Sequence, residues 1–447
     1  MAPLAGDRRR LIILLLHERY LLVNILIVAF EAGRWGPARL VKPLVAAGFS
    51  VAALCPTDNA VARTGFLDRH FPLRSVKSSR HVEARLAEAM AAWQPDLIVP
   101  ADERVVACLH ALVRRAGEAK VGRLSAADIA TIVRSLGNPD RFDAMLFKSS
   151  TVQVARDAGV RVPDGGTVRG VDDAVALADR VEYPVYVKTS FSWAGNGVTL
   201  CRDASAVAAA VSAAHAPRRT GLRGVIRRML SRDWYPTAGD IDIQKAVDGA
   251  PAMYCVLAIG GKVVAGFAGE ARQTSSATGP SSVVWIGAHD AMARASATMV
   301  GALGITGFVG FDFMLEHGTG TAYLLECNPR PIQVGHLGAR IGVDLGEALA
   351  AAMRGETVRT QPEQEAVVRL FPQEWRRDPT SMDRDTADCD VPWDDPSLVR
   401  DMIGTVADPS KVPACLMAYL PPSDPPRAGK TFLWPAKQRA NLSRFRG

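Results

Sequence analysis

The chain has 447 residues, 48% of them hydrophobic, with seven cysteines and a formal net charge of +7 at a pI near 9.1. That length and apolar content suffice for full cores in two or three domains, and the cysteines at 55, 108, 201, 255, 327, 389 and 415 show no CxxC or paired spacing, which argues against a zinc site or disulfide frame and for reduced thiols in a cytoplasmic protein. The basic balance alone would suit nucleic acid, but no zinc finger, helix-turn-helix or aromatic-rich RNA motif accompanies it, so nucleic acid is not an expected partner.

Residues 1–20 read as an extension: Arg8–Leu16 is basic and then apolar, but His17-Glu18-Arg19 breaks the run before the roughly 18 apolar residues a membrane span needs, and no small-residue cleavage site follows. Val23–Phe30 then reads as a first parallel strand entering the loop Glu31–Gly36. A helix near Pro37–Ala47, a strand at Phe49–Cys55, a helix at His81–Trp93 and a strand at Leu97–Pro100 follow. Strands alternating with helices imply a parallel sheet with right-handed crossovers, hence an N-terminal nucleotide-fold-like domain over 21–125.

Further on, Tyr183–Lys188 is a short apolar strand ending in a lysine, and it runs into Thr189–Val198, which holds Gly195, Asn196, Gly197 and Val198. Small residues let backbone N–H groups approach phosphate oxygens, and the lysine adds a point charge; the same Gly-Asn-Gly would also serve an ordinary hairpin. In 218–234 the residues Leu222, Val225, Ile226, Met229 and Leu230 fall on one helical face, with Arg223, Arg227, Arg228 and Arg232 elsewhere and Trp234 after them. This is either a basic amphipathic helix for an anionic membrane or acidic partner or a lid helix with its arginines in water. Ile241–Lys245 is a strand leaving through Ala246–Gly249; such an exit can hold adenine by backbone hydrogen bonds at Lys245 and Val247, with the Gln244 side chain near the exocyclic amine, although in isolation it reads as an ordinary strand exit. Ala252–Ile259 and Lys262–Ala271 form a hairpin across Gly260-Gly261, and its exit presents Glu270 and Arg272 ahead of a Ser/Thr/Gly-rich loop over 273–282.

The most specific pattern comes last. Phe308–Leu315 and Thr321–Cys327 are apolar runs flanking His317-Gly318-Thr319-Gly320, so they read as an antiparallel pair joined by a short turn. Alternation along a strand sends Glu326 and Asn328 to one face and Cys327 to the other. Asp312 lies inside its own apolar run, and buried acids demand a partner such as a cation. Two carboxylates and an amide oxygen suit Mg²⁺, which keeps water and phosphate oxygens in its shell, so Asp312, Glu326 and Asn328 are the candidate metal ligands, with Arg330 reaching the same phosphates. The alternative is a hairpin whose acids face water.

Together these residues resemble the ATP-grasp superfamily, and the resemblance covers roughly Lys148 to Leu345. It implies that Lys148, ahead of Ala158-Gly159-Val160-Arg161-Val162-Pro163, contacts the nucleotide, with Arg141 as its competitor; that Lys188 is the second lysine, Gly195–Val198 the loop over the phosphates and Gln244–Val247 the adenine hinge; and that ATP and Mg²⁺, with Mn²⁺ as a substitute, are the cofactors. Ala250-Pro251-Ala252 stands where the family often has a ribose acid, leaving Asp248 to fill that role. Gly310 stands where D-alanine:D-alanine ligases carry an arginine, and Gly335, in Ile332-Gln333-Val334-Gly335-His336, where biotin-dependent carboxylases carry a base-forming Glu. Glu31, Arg34, Asp102 and Glu103, at strand ends of the first domain, become candidates for one wall of a substrate pocket. Arg272 becomes a candidate for the charge that steadies the transferring phosphoryl group, its alternative being a surface arginine.

The expected architecture is α/β: an N-terminal parallel-sheet domain, a two-lobed α+β ATP-grasp domain over 126–358 whose smaller, mobile lobe is about 150–247, and a C-terminal extension over 359–447 with no catalytic pattern. The resemblance implies ADP-forming carboxylate–amine ligation through an acyl phosphate, with Arg330 and Arg272 as catalytic charges, small carboxylates and amines as partners, and a homodimer as the expected assembly. A carboxyphosphate-forming enzyme using His336 and a non-catalytic ATP-binding subunit are the alternatives.

Overall fold

A computed structural model of the chain describes residues 23–118, 122–189, 197–215, 240–275, 279–383, 389–404 and 412–420. The extension 1–20, Gly195 and Asn196 of the loop, and the basic stretch 218–234 lie outside the described residues.

The first sheet is parallel, ordered β3-β2-β1-β4, from β1 (Asn24–Val28), β2 (Ser50–Cys55), β3 (Arg69–Pro72) and β4 (Leu97–Pro100). β1 and β2 are buried on both faces, as the largely apolar runs require when helices cover a parallel sheet. Helix Trp35–Ala46 connects β1 to β2 and helix Ser79–Trp93 connects β3 to β4, while helix Glu103–Gly117 follows β4. The edge strand β3 and the helix Glu103–Gly117 are additions to the expected elements.

Two antiparallel sheets follow. The small one, β5-β8-β6-β7, comprises β5 (Gly165–Val168), β6 (Val185–Thr189), β7 (Val198–Cys201) and β8 (Ile241–Lys245). Helices Val171–Val181 and Ala204–His215 pack with it, and its buried residues, among them Leu177, Val187, Val207 and Ile243, form a cluster separate from the others. The large sheet runs β13-β12-β9-β10-β11-β14, from β9 (Gly249–Ile259), β10 (Lys262–Thr274), β11 (Ser281–Gly287), β12 (Gly307–Glu316), β13 (Ala322–Asn328) and β14 (Ala366–Arg369). One face packs Phe311, Phe313 and Tyr254 against helix Asp290–Leu303 and shares its core with β1 and the helix Glu103–Gly117. The other packs Phe267 and Ile286 with helix Leu345–Met353 and with Val41 and Leu44 of helix Trp35–Ala46.

The C-terminal extension does not stand apart. β14 adds the sixth strand by pairing with β11, and helix Pro396–Ile403 enters the same core as helix Trp35–Ala46. At the joint, Arg39 donates to the Asp390 carbonyl at 2.7 Å and pairs with its carboxylate, His336 Nε2 meets the other carboxylate oxygen at 2.9 Å, and Arg340 donates to the Cys389 carbonyl at 3.0 Å. Burial opposes ionisation of Asp390, but Arg39 and His336 hold its carboxyl below the ordinary range. Asp390 thus ties three segments of chain. Asp390→Ala would leave Arg39 buried beside no carboxylate, and a loss of about 3–5 kcal/mol in a denaturant titration is expected.

Candidate active site

β12 and β13 pair in the register Asp312↔Glu326 and Gly310↔Asn328, with a bulge between Asp312 and Phe313. Directly opposed residues share a face, so the two acids and the amide stand together. Phe311 and Phe313, both fully buried, hold the opposite face of β12 in the core, which fixes Asp312 outward from it. Asn328 Nδ2 donates to Asp312 Oδ2 at 3.1 Å, and Arg330 Nη2 to Asn328 Oδ1 at 3.3 Å. Gly310 has no room for a side chain: a Cβ there would lie 2.3 Å from Ile332 Cγ2. That contact accounts for glycine at this position.

Lys148 begins helix Lys148–Asp157 and places its ammonium 2.7 Å from Glu326 Oε2. Its competitor Arg141 is exposed. Burial and the neighbouring Glu326 push the Asp312 acid upward, whereas Glu326, although burial raises it too, is held down by Lys148. Across the cleft Lys188 donates to the Gln244 side-chain carbonyl, and burial with the nearby Lys148 charge lowers its pKa to about 8. Asp242, opposite Lys188 in the β6–β8 register, accepts from Thr167 at 2.8 Å. The sequence reading passed over Asp242, although its alternation with Gln244 along IDIQK would have placed both on one face. Gly197, in the left-handed region at φ +74°, accepts from the Thr189 N–H at 3.0 Å, and Val198 pairs with Lys188, so the β6–β7 hairpin closes beside the lysine.

In the hinge, the Lys245 N–H is committed to the Asp164 carbonyl at 2.7 Å and its ammonium turns outward toward Glu182 at 3.4 Å. Lys245 therefore offers a ligand only its backbone carbonyl, while the Val247 N–H has no hydrogen-bond partner among the described residues.

Three expected site residues lie apart from the lysines and the acid pair. Asp248 is not gathered with the lysines: it lies beside the β12–β13 turn, its carbonyl accepting from His317 N–H at 2.9 Å and its exposed carboxylate 3.3 Å from His317 Nδ1. His317 is five residues along the strand from Asp312, roughly 17 Å at strand rise. Arg272 pairs with Glu270 at 2.8 Å and stands over the Trp285 ring. Glu270 lies opposite Ala252, and Ala252 opposite Phe313, so this group occupies the sheet face turned away from Asp312. Arg272→Ala is accordingly expected to leave turnover within about fivefold of wild type, since a half-exposed ion pair contributes at most about 1 kcal/mol. Asp102 is a structural cap: its fully buried carboxylate accepts from the N–H groups of Phe30 (2.6 Å), Glu31 (3.1 Å) and Val105 (3.1 Å).

Its neighbours do reach the site. Glu103 pairs with Arg330 and lies 2.9 Å from Arg34, and Arg34 is 2.7 Å from Glu31. A chain of alternating charge thus runs from the first domain to the acid pair. Cys327 packs toward the Phe311 side, and burial followed by the adjacent acids pushes its thiol far up, which disfavours a thiolate nucleophile. His336 is buried against Asp390, with burial holding its pKa below the ordinary value; it faces the joint with the C-terminal segment.

Comparison with known proteins fits this geometry. A family model described as the carbamoyl-phosphate synthase L chain ATP-binding domain matches residues 148–231. Among solved structures, the biotin carboxylase domain of 2-oxoglutarate carboxylase from Hydrogenobacter thermophilus superposes with a TM-score of 0.55 at 17% identity, covering 77% of this chain and 73% of that one. The chain has the fold of the ATP-grasp proteins, and residues 148–231 match an ATP-grasp ATP-binding domain. An L-amino acid ligase from Bacillus licheniformis matches this chain equally well in TM-score, 0.55 at 16% identity over 78% of this chain and 81% of that one. The carbamoyl phosphate synthase large chain of Gemmatimonas aurantiaca is 26% identical over 230 residues, 51% of this chain and 20% of the relative. That of Clavibacter sepedonicus is 24% identical over 267 residues, 58% and 23%. The chain thus spans about a fifth of the length of the curated relatives it matches.

Proposed function

We propose that this protein is an ADP-forming ATP-grasp ligase that activates a carboxylate with Mg·ATP and passes the acyl group to an amine. The observation that carries the reading is the meeting of Lys148, Asp312, Glu326, Asn328 and Arg330 at the end of one hairpin, facing Lys188 and Gln244 of the small lobe. Among the described residues no three His, Cys, Asp or Glu side chains cluster as a metal cage. Two carboxylates in register plus one amide are instead the donor set for Mg²⁺ completed by water and phosphate oxygens, with Mn²⁺ able to substitute. Bound there, the metal would supply charge neutralisation at the phosphate oxygens.

A substrate carboxylate oxygen attacks the γ-phosphorus, the bond to the β–γ bridging oxygen breaks, and ADP leaves. The amine nitrogen then attacks the acyl carbon of the mixed anhydride, and inorganic phosphate departs with its bonding pair. Lys148, Lys188 and Arg330 offset the charge that builds on the transferring oxygens, and burial of the site strengthens each of those contacts. No enzyme nucleophile takes part.

A second reading, carboxyphosphate formation from bicarbonate, is favoured by the family-model match to a carbamoyl-phosphate synthase domain and by the likeness to a biotin carboxylase solved with MgADP and bicarbonate. Gly335 in the base position and the inward turn of His336 weigh against it. A phosphate-release screen crossing carboxylates with amines separates the readings: release that needs both supports the ligase, and release with bicarbonate alone supports the carboxylase. Nucleotide binding without ADP formation across the panel would mark a non-catalytic subunit. A homodimer and a cytoplasmic setting belong to the same proposal; sedimentation and fractionation test them.

A further inference from the structure

Arg330 is held from outside its own domain. Its guanidinium meets Glu103 Oε1 and is 3.3 Å from Asn328 Oδ1 and 3.2 Å from the Pro331 carbonyl. The side chains of Arg330 and Glu103 are only 12% and 14% exposed. Glu103 cannot drift, because it opens helix Glu103–Gly117 and its neighbour Asp102 caps that helix while gripping the exit of β1. Its second carboxylate oxygen faces Arg34 at 2.9 Å, and Arg34 is braced in turn by Glu31 at 2.7 Å. Both oxygens of Glu103 are therefore turned to arginines.

An arginine has a long, rotamer-rich stem, and its planar fork acts on a phosphate oxygen only when aimed in advance. A fixed carboxylate in a dry setting does that aiming, with small loss of reach and strong local electrostatics. We infer that Glu103, with Arg34 behind it, is a positioning residue that sets Arg330 toward the transferring phosphoryl group, so that the phosphate-binding arginine is aimed by the N-terminal domain. This rests on the Mg·ATP reading proposed above.

The test is ³¹P NMR of a non-hydrolysable Mg·ATP analogue bound to the full chain, with wild type, Arg330→Ala and Glu103→Gln. Glu103→Gln keeps the shape and one acceptor but removes the charge. The γ resonance is expected to move in the same direction as in Arg330→Ala, the α resonance to stay, and kcat for pairs found in the phosphate-release screen to fall about 10–100-fold at little-changed KM for ATP, the usual range for loss of a supporting partner. A γ resonance and kcat matching wild type would overturn the inference. If Glu103→Gln does not fold, Arg34→Met decides: a several-fold loss of kcat with the same γ displacement supports the inference, and wild-type behaviour sinks it. Wild type that binds no analogue would defeat the nucleotide reading itself, and this inference with it. Binding with a γ resonance indifferent to Arg330→Ala would defeat only the role of Arg330 and its positioning.

Discussion

Glu326→Gln is expected to lower Mg·ATP-dependent ADP formation by about 10²–10³-fold, the scale seen when one electrostatic stabiliser is removed from a reacting centre. The substitution keeps the volume of a side chain that stands in register with Asp312 and 2.7 Å from Lys148. What disappears is one of the two charges that could hold a divalent cation, together with the counter-ion of the lysine. The surrounding anchors, Phe311 and Phe313 on the far face, are untouched, and Asp312 remains near Lys148, so the variant should stay folded. Turnover equal to wild type in a folded variant would remove the metal-site assignment.

Lys148→Met should weaken binding of a Mg·ATP analogue by about 10–100-fold, because a charged hydrogen bond contributes about 1.5–3 kcal/mol. The methionine keeps the apolar stem and removes the ammonium. Burial by itself would drive the Lys148 proton off, yet Glu326 and Asp312 hold its pKa above the ordinary value, so wild type presents a cation across the working pH range. Titration calorimetry reads the difference, and Arg141→Met is the control: Arg141 is exposed at the end of a short 3-10 turn and should bind as wild type does. The reverse pattern would transfer the phosphate role to Arg141.

The parts of this molecule legible in the sequence were those with a short period and a local partner. Alternation in Phe308–Leu315 and Thr321–Cys327 was enough to pair the hairpin and to put Asp312, Glu326 and Asn328 on one face. The largely apolar runs at Val23–Phe30 and Phe49–Cys55 were enough for parallel strands. Arg272 shows where this stops. Its place in the chain suggested the reacting centre, but which face it occupies depends on register carried through two further strands, β9 and β12, and no local pattern encodes that. The contact between Glu103 and Arg330 spans 227 residues, and the tie between Asp390 and His336 spans 54; both are products of domain packing. The placement of Asp248 was illegible for a different reason, since the turn beside it belongs to a strand pair later in the chain.

The lobe that brings Lys188 and Gln244 to the cleft encloses its own apolar cluster, and among the described residues none of it is shared with the two cores of the large sheet. It can therefore loosen as a unit, and native-state hydrogen exchange should find its amides escaping at a lower free energy than those of β9 and β12. A magnesium nucleotide bridging both walls would slow that escape selectively, which makes deuterium uptake in Val185–Thr189 a reporter of occupancy that needs no knowledge of the substrate.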